Sequence, residues 1–396
     1  MKPVWVRGVG ALTPLGGTWA ESLRALAAGR SAVRPIAAFD ATGFPCTVAA
    51  AVEGTLDGGE DRRLSLARVA AEEAWSHACV DVDPARIGVF VGAESGRASF
   101  GTILRLARAA GGGATFDEAA FARNAPSFAA SFDASVVSPA AVASALALRL
   151  GAGGPCETVS LACASGSAAV VEGARAIRLG ECDVALCGGV GADVDPLMLA
   201  GFGLLGMLSS RGVSCPFDVR RDGMVVGEGA AFVVLAAEPG DATVEIAGLG
   251  RSLDAWHLTA PDPEGSGALR AMAAALADAG EVKVDAVQAH GTSTPLNDAV
   301  EARAIARLFG SDMPVSSVKG AVGHWIAGAG AIGILCAIEA AQSGLVLPTA
   351  GLTVSDPECA VRHVCGEALR MRVRTALCNS FAFGGANSCI VVRRRE

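Results

Sequence analysis

Cys163 is the first residue of this chain that suggests chemistry. It lies in VSLACASGSAAV (159–170), where an apolar run typical of a strand, ETVSLA (157–162), meets a stretch typical of a helix, SAAVVEGARAIRLG (167–180). A thiol at a helix N-terminus faces free N–H groups and the positive end of the helix dipole, and both favour the thiolate. Small neighbours leave room for a substrate to reach the sulfur. The pattern indicates a nucleophile, although most buried cysteines are inert.

Two of the five histidines stand in loops that suit catalysis. His290 ends a strand in AHGTSTPLND, and His324 follows a glycine in KGAVGHWIAGAGAIG. Both have Gly, Ser and Thr neighbours, which is unusual for a histidine that only fills a core. A cysteine with two histidines is a coherent catalytic constellation if the fold brings the three together.

The elements that must position these residues alternate along the chain. Runs typical of strands, such as VWVRGVGAL, RIGVFVGAES and CDVALCGGVGA, are separated by stretches typical of helices. This alternation predicts a layered α/β architecture with a parallel or mixed sheet. Residues 110–139, rich in Ala, Phe, Gly and Ser, interrupt the rhythm and are predicted to cover a pocket or an interface.

The second half of the sequence repeats the plan of the first. VEIAGLGRSLDAW corresponds to VWVRGVGALTPLG, and the strand, turn and helix that begin at PVSSVKGAVGH correspond to those around Cys163. Two further segments, DAVQAHGTSTP and NSCIVVRRR, match RIGVFVGAESG and GAAFVVLAA in the same order. Four ordered matches favour an internal duplication. We expect an N-terminal half, 1–240, that carries the cysteine, and a C-terminal half, 241–396, that carries both histidines.

Composition narrows the class of protein. The chain has 396 residues, 52% hydrophobic and 18% charged, which suits two domains or one large α/β unit. It has neither an apolar run of about 18 residues nor the pattern of a signal peptide, so we predict no membrane span. Twelve cysteines without a CxxC pair fit reduced thiols in a cytoplasm and predict no metal site. The net charge of −8 argues against nucleic-acid binding.

These motifs together resemble the β-ketoacyl synthases (ketosynthases) of the thiolase superfamily. The resemblance is strongest to the elongating β-ketoacyl-ACP synthase II type and to type II polyketide ketosynthases. It runs from end to end, and its motifs in order are GVGALTPLG, ACASG with Cys163, PFDVRRDGMVVGEGAA, HGTSTPLND with His290, VKGAVGH with Lys319 and His324, and NSFAFGGANS. The resemblance implies a thiolase-like α/β fold of two duplicated mixed-sheet halves in five layers, and a cytoplasmic dimer.

The same resemblance implies a mechanism. Cys163 takes an acyl chain, and malonyl-ACP then undergoes decarboxylative Claisen condensation with it, in fatty-acid or polyketide/polyene elongation. His290 and His324 promote the loss of CO2, and Lys319 positions them. The backbone N–H groups of Cys163 and Phe383 form the oxyanion hole. The protein itself needs no cofactor, because phosphopantetheine arrives on the acyl carrier protein.

Further residues are assigned by resemblance alone. Threonines of the family bind the pantetheine arm, the loop after Phe383 is rich in glycine, and a mobile phenylalanine lies near the acyl entrance. The tryptophan beside His324, where smaller residues are usual, is expected to narrow or reshape the pocket, and together with Gly333 and Leu161 it suggests a specialised pathway. The predicted substrate-binding residues are Thr292, Thr294, Phe202, Trp325, Gly384 and Gly385.

Carboxylates near Lys319 have two possible roles. Asp298 and Glu301 resemble acidic residues that pair with the lysine in relatives, and they equally suit the start of a helix, where they complement its dipole. Many synthases of the second type have a glutamate nine residues after the second histidine. Here that position is Gly333, which puts the usual lysine–glutamate arrangement in doubt.

An acidic carrier protein needs a locally basic docking surface. The predicted docking residues are Arg62, Arg63, Arg68, Arg211 and Arg220, with Arg221 as a further candidate.

Alternative interpretations remain at this stage. A non-condensing chain-length-factor subunit typically lacks the cysteine, although the chain could be the catalytic half of such a heterodimer instead of a homodimer. A degradative thiolase needs a second catalytic cysteine; Cys378 and Cys389 flank NSFAFGGAN, but Phe383 stands where the thiol is needed. An initiating synthase pairs its cysteine with His and Asn, which the two histidines do not match.

Overall fold

The computed structural model describes residues 2–54, 61–98, 100–112, 116–129 and 134–395. Within these ranges the chain forms one mixed sheet of 11 strands and two small sheets of 2 strands each. The strands are β1 (Trp5–Leu12), β2 (Arg34–Pro35), β3 (Val48–Ala49), β4 (Ile87–Gly92), β5 (Cys156–Val159), β6 (Val184–Ala192), β7 (Glu228–Ala236), β8 (Val244–Leu253), β9 (Ala286–Gln288), β10 (Pro314–Ser316), β11 (Leu345–Val346), β12 (Arg362–His363), β13 (Leu369–Arg370), β14 (Thr375–Phe381) and β15 (Ala386–Arg394).

Helices pack on the outer faces of the two sheet halves and between them. They are α1 (Trp19–Ala27), α2 (Arg62–Ala78), α3 (Phe100–Ala109), α4 (Glu118–Ala129), α5 (Ala141–Leu150), α6 (Ser165–Leu179), α7 (Pro196–Leu204), α8 (Ser266–Asp278), α9 (Pro295–Phe309), α10 (Lys319–Val322) and α11 (Ala329–Ser343). Short 3-10 turns, Ala162–Ala164, Ile326–Gly328 and Phe383–Gly385, lie among the loops with the predicted site residues.

The strand order confirms the predicted duplication. Outward from the centre, one half of the sheet reads β1-β7-β6-β4-β5 and the other reads β8-β15-β14-β9-β10, with β12 added at the edge. The pairing directions agree as well: in each half the first two pairings are antiparallel and the next two are parallel. The two halves join where Trp5 of β1 pairs with Glu245 of β8.

The sheet halves and their helices form five layers, as the resemblance implied, and three hydrophobic clusters lie between them. Residues of α2 and α5, such as Leu66 and Val142, pack on the outer face of the first half. Helices α6 and α11 lie in the middle, where Ile177 and Ile338 share one cluster. Met272 of α8 lies in the third cluster, with residues of α9, on the outer face of the second half.

Glycine pairs on the two central strands set the distance between strand and helix. A Cβ at Gly10 of β1 would lie 2.2 Å from Ala70 O of α2, and one at Gly250 of β8 would lie 2.0 Å from Ala271 O of α8. Neither site has room for a side chain, because helix backbone occupies the space. The G-x-G sequences that revealed the duplication are therefore two copies of one packing contact.

The segment Ile326–Ser343 is long and apolar enough to cross a membrane by composition alone. It lies in the middle layer, and 83% of it is buried inside the protein. The structure therefore assigns it to the core of the molecule.

The segment 110–139 forms a separate excursion, part of which (113–115 and 130–133) lies outside the described residues. The described part adds α4, which packs against α3. Phe100, Phe116 and Phe121 are exposed there, and such apolar surface is typical of an interface.

The Gly250 contact gives the first testable prediction. Gly250→Ala should lower the free energy of unfolding by at least about 1–3 kcal/mol, the usual cost of overpacking, in urea denaturation followed by circular dichroism. Gly101→Ala is the matched control, since a Cβ there meets no atom within 4 Å. Because Gly101 lies inside α3, that variant should be neutral or more stable by up to about 1 kcal/mol. Equal effects of the two changes would contradict the packing argument.

Candidate active site

Cys163 lies in the 3-10 turn that joins β5 to α6. The strand ends at Val159, earlier than its composition predicts, and the chain then turns through Ala162, which has a φ of 46°. Helix α6 begins at Ser165 and ends at Leu179, and Gly180 caps its C-terminus, as predicted. Cys163 is 3% exposed, and the Phe383 N–H donates a hydrogen bond to its sulfur.

The thiol of Cys163 is protonated in the resting site. Burial raises its pKa to about 12, although the positive charge of Lys319 and the hydrogen bond from Phe383 act in the opposite direction. The expectation of a thiolate was therefore wrong for this state. Burial destabilises the thiolate by removing it from water, and this effect is larger than the stabilisation from the Lys319 charge and the Phe383 hydrogen bond.

His290 and His324 meet at the sulfur. Their ring centroids are 5.5 Å apart with the planes at 81°, and one side-chain atom from each histidine and the Cys163 Sγ lie within 4.8 Å of one another. Burial, followed by the charge of Lys319, lowers the pKa of both imidazoles well below the usual value, so both rings are neutral.

Hydrogen bonds fix the tautomer of each ring. His324 Nδ1 accepts from the Ile326 N–H at 3.1 Å, and His290 Nδ1 lies 3.4 Å from the Lys319 Nζ. With Nδ1 acting as the acceptor, the ring proton is on Nε2 in both histidines. The spacing alone would suit a metal ion, but an Nε2 that carries a proton has no lone pair to offer one.

Lys319 begins α10 behind the two rings. Its Nζ donates to the carbonyl oxygen of His290 and lies beside the Nδ1 of the same residue. Burial lowers the pKa of Lys319, and the charge of Glu301 acts against that shift. The lysine thus contacts His290 directly and acts on His324 through its charge.

Asp298 and Glu301 hold the histidine loop by its backbone, a role that neither sequence-based alternative described, and their charges also favour protonated Lys319, as the first alternative expected. Glu301 accepts the backbone N–H groups of His290 and Gly291, both at 2.8 Å, and Asp298 accepts those of Thr292 at 2.8 Å and Ser293 at 3.1 Å. Both carboxylates are buried on α9, and burial raises the pKa of Glu301 to about 7. They hold the histidine loop by its backbone, and Glu301 also provides the negative charge that favours protonated Lys319.

Gly333 fits this arrangement. A Cβ at that position would lie 3.1 Å from the Cys378 Sγ and 3.7 Å from the Gln288 side chain. The space beside Gly333 is therefore filled from β14 and β9, and the carboxylate that acts on Lys319 comes from α9 instead.

A cavity of about 390 Å³ leads to the sulfur. Thr292 and Thr294 line it, with their hydroxyl oxygens 2.8 Å apart, and so do both histidines and Phe383. Most of the remaining wall comes from loops after β8, β14 and α7 and from the start of α9; it includes Met207, Met224, Thr259, Pro261, Leu296, Val300 and Phe381. The cavity joins the predicted nucleophile, histidines and threonines in one site.

The other predicted substrate-binding residues lie off this wall. Gly384 and Gly385 support the Phe383 loop from behind: both have positive φ, and the Gly384 N–H donates to Leu258 O at 2.7 Å. Phe202 is 8% exposed and packs in the same apolar cluster as Cys163.

Trp325 does not narrow the cavity, so that expectation was wrong. Its indole is fully buried, and Nε1 donates to Val322 O at 2.8 Å. A Cβ at Gly227 or Gly229 would lie 3.0 Å or 2.6 Å from the indole ring. Glycines therefore make room for the tryptophan in the core.

Two of the predicted docking arginines form ion pairs within the fold. Arg62 pairs with the buried carboxylate of Glu228, and Arg63 is itself buried and pairs with Asp61. The charge of Arg63 is held inside the fold and is not available to a partner, whereas the side chain of Arg62 remains exposed.

The other three predicted docking arginines differ in exposure. Arg220 is partly exposed and bonds to the buried Asp218, whereas Arg68 is half-buried on α2 and engaged with other groups. Arg211 is exposed beside Asp222, a residue of the cavity wall.

Glu94 was missed by the reasoning from sequence. It stands two residues after β4, as His290 stands two residues after β9, the equivalent strand of the other half. Its carboxylate accepts the Ala162 N–H at 2.9 Å in the loop before Cys163. The duplication could have pointed to Glu94, because its position after β4 is equivalent to the position of His290 after β9.

Comparison with known proteins agrees with this geometry. A family model for the N-terminal domain of β-ketoacyl synthases matches residues 1–239, and the model for their C-terminal domain matches residues 243–353. The chain belongs to the β-ketoacyl synthase family. It is therefore an acyltransferase with a thiolase-like fold, as the motifs predicted.

Individual relatives cover the whole chain. A 3-oxoacyl-[acyl-carrier-protein] synthase 2 of Synechocystis sp. is 33% identical over 100% of this chain and 99% of its own. The structure of the ishigamide ketosynthase/chain length factor is 30% identical, with a TM-score of 0.87 over 100% of both chains. A type II polyketide synthase acyl-carrier protein in complex with its ketosynthase bound to the hexaketide gives 27% identity and a TM-score of 0.85 over 99% of both chains.

The protonated thiol gives the second prediction. Alkylation of Cys163 by iodoacetamide should rise about tenfold per pH unit between about pH 7 and 10 without levelling, because only the thiolate reacts and the pKa is about 12. In the urea-unfolded chain the same residue should level off above about pH 8.5. Lys319→Met should slow the native reaction at every pH at which Lys319 is protonated, by removing a charge that favours the thiolate. The measurement is peptide-resolved mass spectrometry, and a native plateau below about pH 9 would contradict the prediction.

Proposed function

We propose that this protein is an elongating β-ketoacyl-[acyl-carrier-protein] synthase of fatty-acid or polyketide biosynthesis. It works in the cytoplasm and needs no cofactor of its own. The observation that carries the proposal is the meeting of one buried thiol and two neutral imidazoles, each with its Nε2 proton fixed, at one end of a cavity.

The first step is transfer of an acyl group to Cys163. The sulfur attacks the carbonyl carbon of an acyl thioester, and its proton passes to the departing pantetheine sulfur. The Phe383 N–H, already bonded to the sulfur, and the Cys163 N–H in the 3-10 turn before α6 suit the developing oxyanion. Each such donor contributes about 100-fold or more in comparable acyl transfers.

The second step needs hydrogen-bond donors and no base. A malonyl thioester loses its carboxylate as CO2, and the electrons of the broken C–C bond form an enolate on the thioester. In this proposal the two Nε2–H groups of His290 and His324 donate hydrogen bonds to that oxygen as its charge grows. Neutral rings with fixed tautomers favour this role, because a protonated imidazole beside Lys319 would be strongly disfavoured.

The enolate carbon then attacks the acyl group on Cys163. A new C–C bond forms, the sulfur leaves as the thiolate and takes a proton, and the chain is two carbons longer on the carrier. The high pKa of the buried thiol returns the site to its protonated resting state. Loss of CO2 drives the cycle forward.

The carrier and a second subunit complete the proposed assembly. The cavity wall has the polar groups that a pantetheine arm requires, above all Thr292 and Thr294. Strand β5 is the outermost strand at its end of the sheet, and another ketosynthase-like chain could pair along it. A homodimer is the simplest form, and a heterodimer with a chain-length-factor partner is the alternative that its structural relatives raise.

A direct test is intact-mass analysis with acyl carrier proteins that carry chains of several lengths. Wild type should gain one acyl group, and Cys163→Ala should gain none. With malonyl-ACP added, wild type should produce the extended β-ketoacyl-ACP, whereas His290→Ala and His324→Ala should acylate but condense about 100-fold or more slowly. Absence of any adduct, with or without a partner subunit, would overturn the proposal. Condensation only when a partner is added would identify the catalytic half of a heterodimer.

Arg211 provides a test of docking. Arg211→Glu should raise the KM for carrier-borne acyl groups about threefold to tenfold, since it reverses one exposed charge. The rate with an acyl N-acetylcysteamine, which has no carrier, should not change. Arg175→Glu is the control, because Arg175 is exposed near the far end of α6. Equal effects on both kinds of substrate would exclude Arg211 from the carrier surface.

A further inference from the structure

Glu94 binds the loop of the nucleophile on both sides of Cys163. Its Oε2 lies 2.7 Å from the Ser160 hydroxyl, and its Oε1 lies 2.9 Å from the Ala162 N and 3.1 Å from the Ser165 hydroxyl. One carboxylate thus contacts three polar groups within a stretch of six residues. The reacting sulfur is in the middle of that stretch.

This loop has a conformation that needs support. Ala162 has a φ of 46°, which is uncommon for a residue with a Cβ and costs free energy of conformation. The Ser165 hydroxyl lies 2.7 Å from Ala162 O and accepts the Leu161 N–H at 2.8 Å. Glu94 is the group from outside the loop that bonds to the Ala162 N–H.

Glu94 is itself held by a buried ion pair. The guanidinium of Arg63 donates to the Glu94 backbone oxygen at 2.5 Å and to Val136 O at 2.6 Å, and it pairs with Asp61 at 2.5 Å. Arg63 is 7% exposed. A rigid connection therefore runs from the start of α2 through the end of β4 to the nucleophile loop.

Glu94 approaches the loop from the side away from the substrate. Among the described residues, the cavity that contains Cys163 is lined without Glu94, which instead lines a separate cavity of about 280 Å³ with Arg97 and Asp193. A carboxylate in this place can fix the loop without contacting the acyl chain.

We propose that Glu94 is a positioning residue, which fixes the Ala162 turn so that the sulfur and backbone N–H of Cys163 are held in the geometry for acyl transfer. It acts through the loop and contacts no reacting atom. The negative charge of Glu94 also raises the pKa of Cys163, so the residue affects thiol reactivity as well as loop geometry. The acylation arm of the test rests on the proposed function, and the thiol-reactivity arm does not.

The test compares Glu94→Ala with Glu94→Gln. The alanine loses all three contacts and should acylate from acyl-ACP about 10- to 100-fold more slowly, the range expected when a reacting group moves by about 1 Å. The glutamine can keep its oxygen toward Ala162 while its amide donates to the Ser160 hydroxyl, so its acylation rate should stay within about threefold of wild type. Because the glutamine removes a negative charge near the thiol, its curve of Cys163 alkylation against pH should move to lower pH.

Glu73 provides a matched control. Its carboxylate also accepts two backbone N–H groups, those of Ala11 and Trp19, but it lies on α2 facing β1 and α1. Glu73→Ala should lower the melting temperature and leave both the acylation rate and the alkylation curve of Cys163 unchanged.

Three results would overturn the inference: wild-type acylation by Glu94→Ala, an unchanged alkylation curve in Glu94→Gln, or an equal loss of acylation in Glu73→Ala. If wild type itself is not acylated, the proposed function fails, and the alkylation curve of Glu94→Gln still tests Glu94. If Glu94→Ala does not fold, the two readouts of Glu94→Gln decide.

Discussion

The active site depends on the contact between the first turns of α6 and α11. A Cβ at Gly166 would lie 2.9 Å from Ala327 O, and one at Gly330 would lie 2.7 Å from the Ser167 N. With no side chain between them, the two helix starts touch backbone to backbone. Because the cysteine loop leads into one helix and the loop of His324 leads into the other, this contact fixes their distance. A methyl group at either glycine would push the nucleophile and the histidine apart.

Around that contact the three reacting side chains are themselves uncharged, although charged groups lie next to them. The thiol and both imidazoles are uncharged, whereas Lys319 and Glu301 lie behind the histidine loop. The carboxylates of Asp298 and Glu301 accept hydrogen bonds from backbone N–H groups, so they fix the loop as well as supply negative charge. A neutral reaction centre surrounded by fixed dipoles suits a reaction in which negative charge appears on an oxygen and then disappears.

Reasoning from sequence predicted the parts of this arrangement that depend on periodicity and order. The alternation of strands and helices, the duplication and the meeting of Cys163 with His290 and His324 all follow from which strand precedes which loop. Properties that depend on burial, such as the pKa of Cys163, were harder to predict. The thiolate at Cys163 was a reasonable expectation from the helix dipole, but only the folded structure shows how completely the thiol is removed from water.

The sequence also did not show which side chains contact one another in the folded structure. The ion pairs of Arg62 with Glu228 and of Arg63 with Asp61 could not be predicted, because these carboxylates are not recognisable as partners by spacing alone. Trp325 was predicted to be a pocket residue because the glycines that make room for it are about one hundred positions away in the chain. Glu94 lacked any motif, and its contacts become visible only when β4 and β5 are placed side by side.

The equivalence of Glu94 and His290 shows what is gained by joining two copies of a fold in one chain. Each residue stands two positions after the equivalent strand of its half. Glu94 is an acid that accepts a backbone N–H, whereas His290 is an imidazole that lines the cavity. Two identical subunits related by symmetry would have to carry the same residue at both places. A single gene that encodes both halves removes that restriction, so that one copy can specialise in support while the other specialises in reaction.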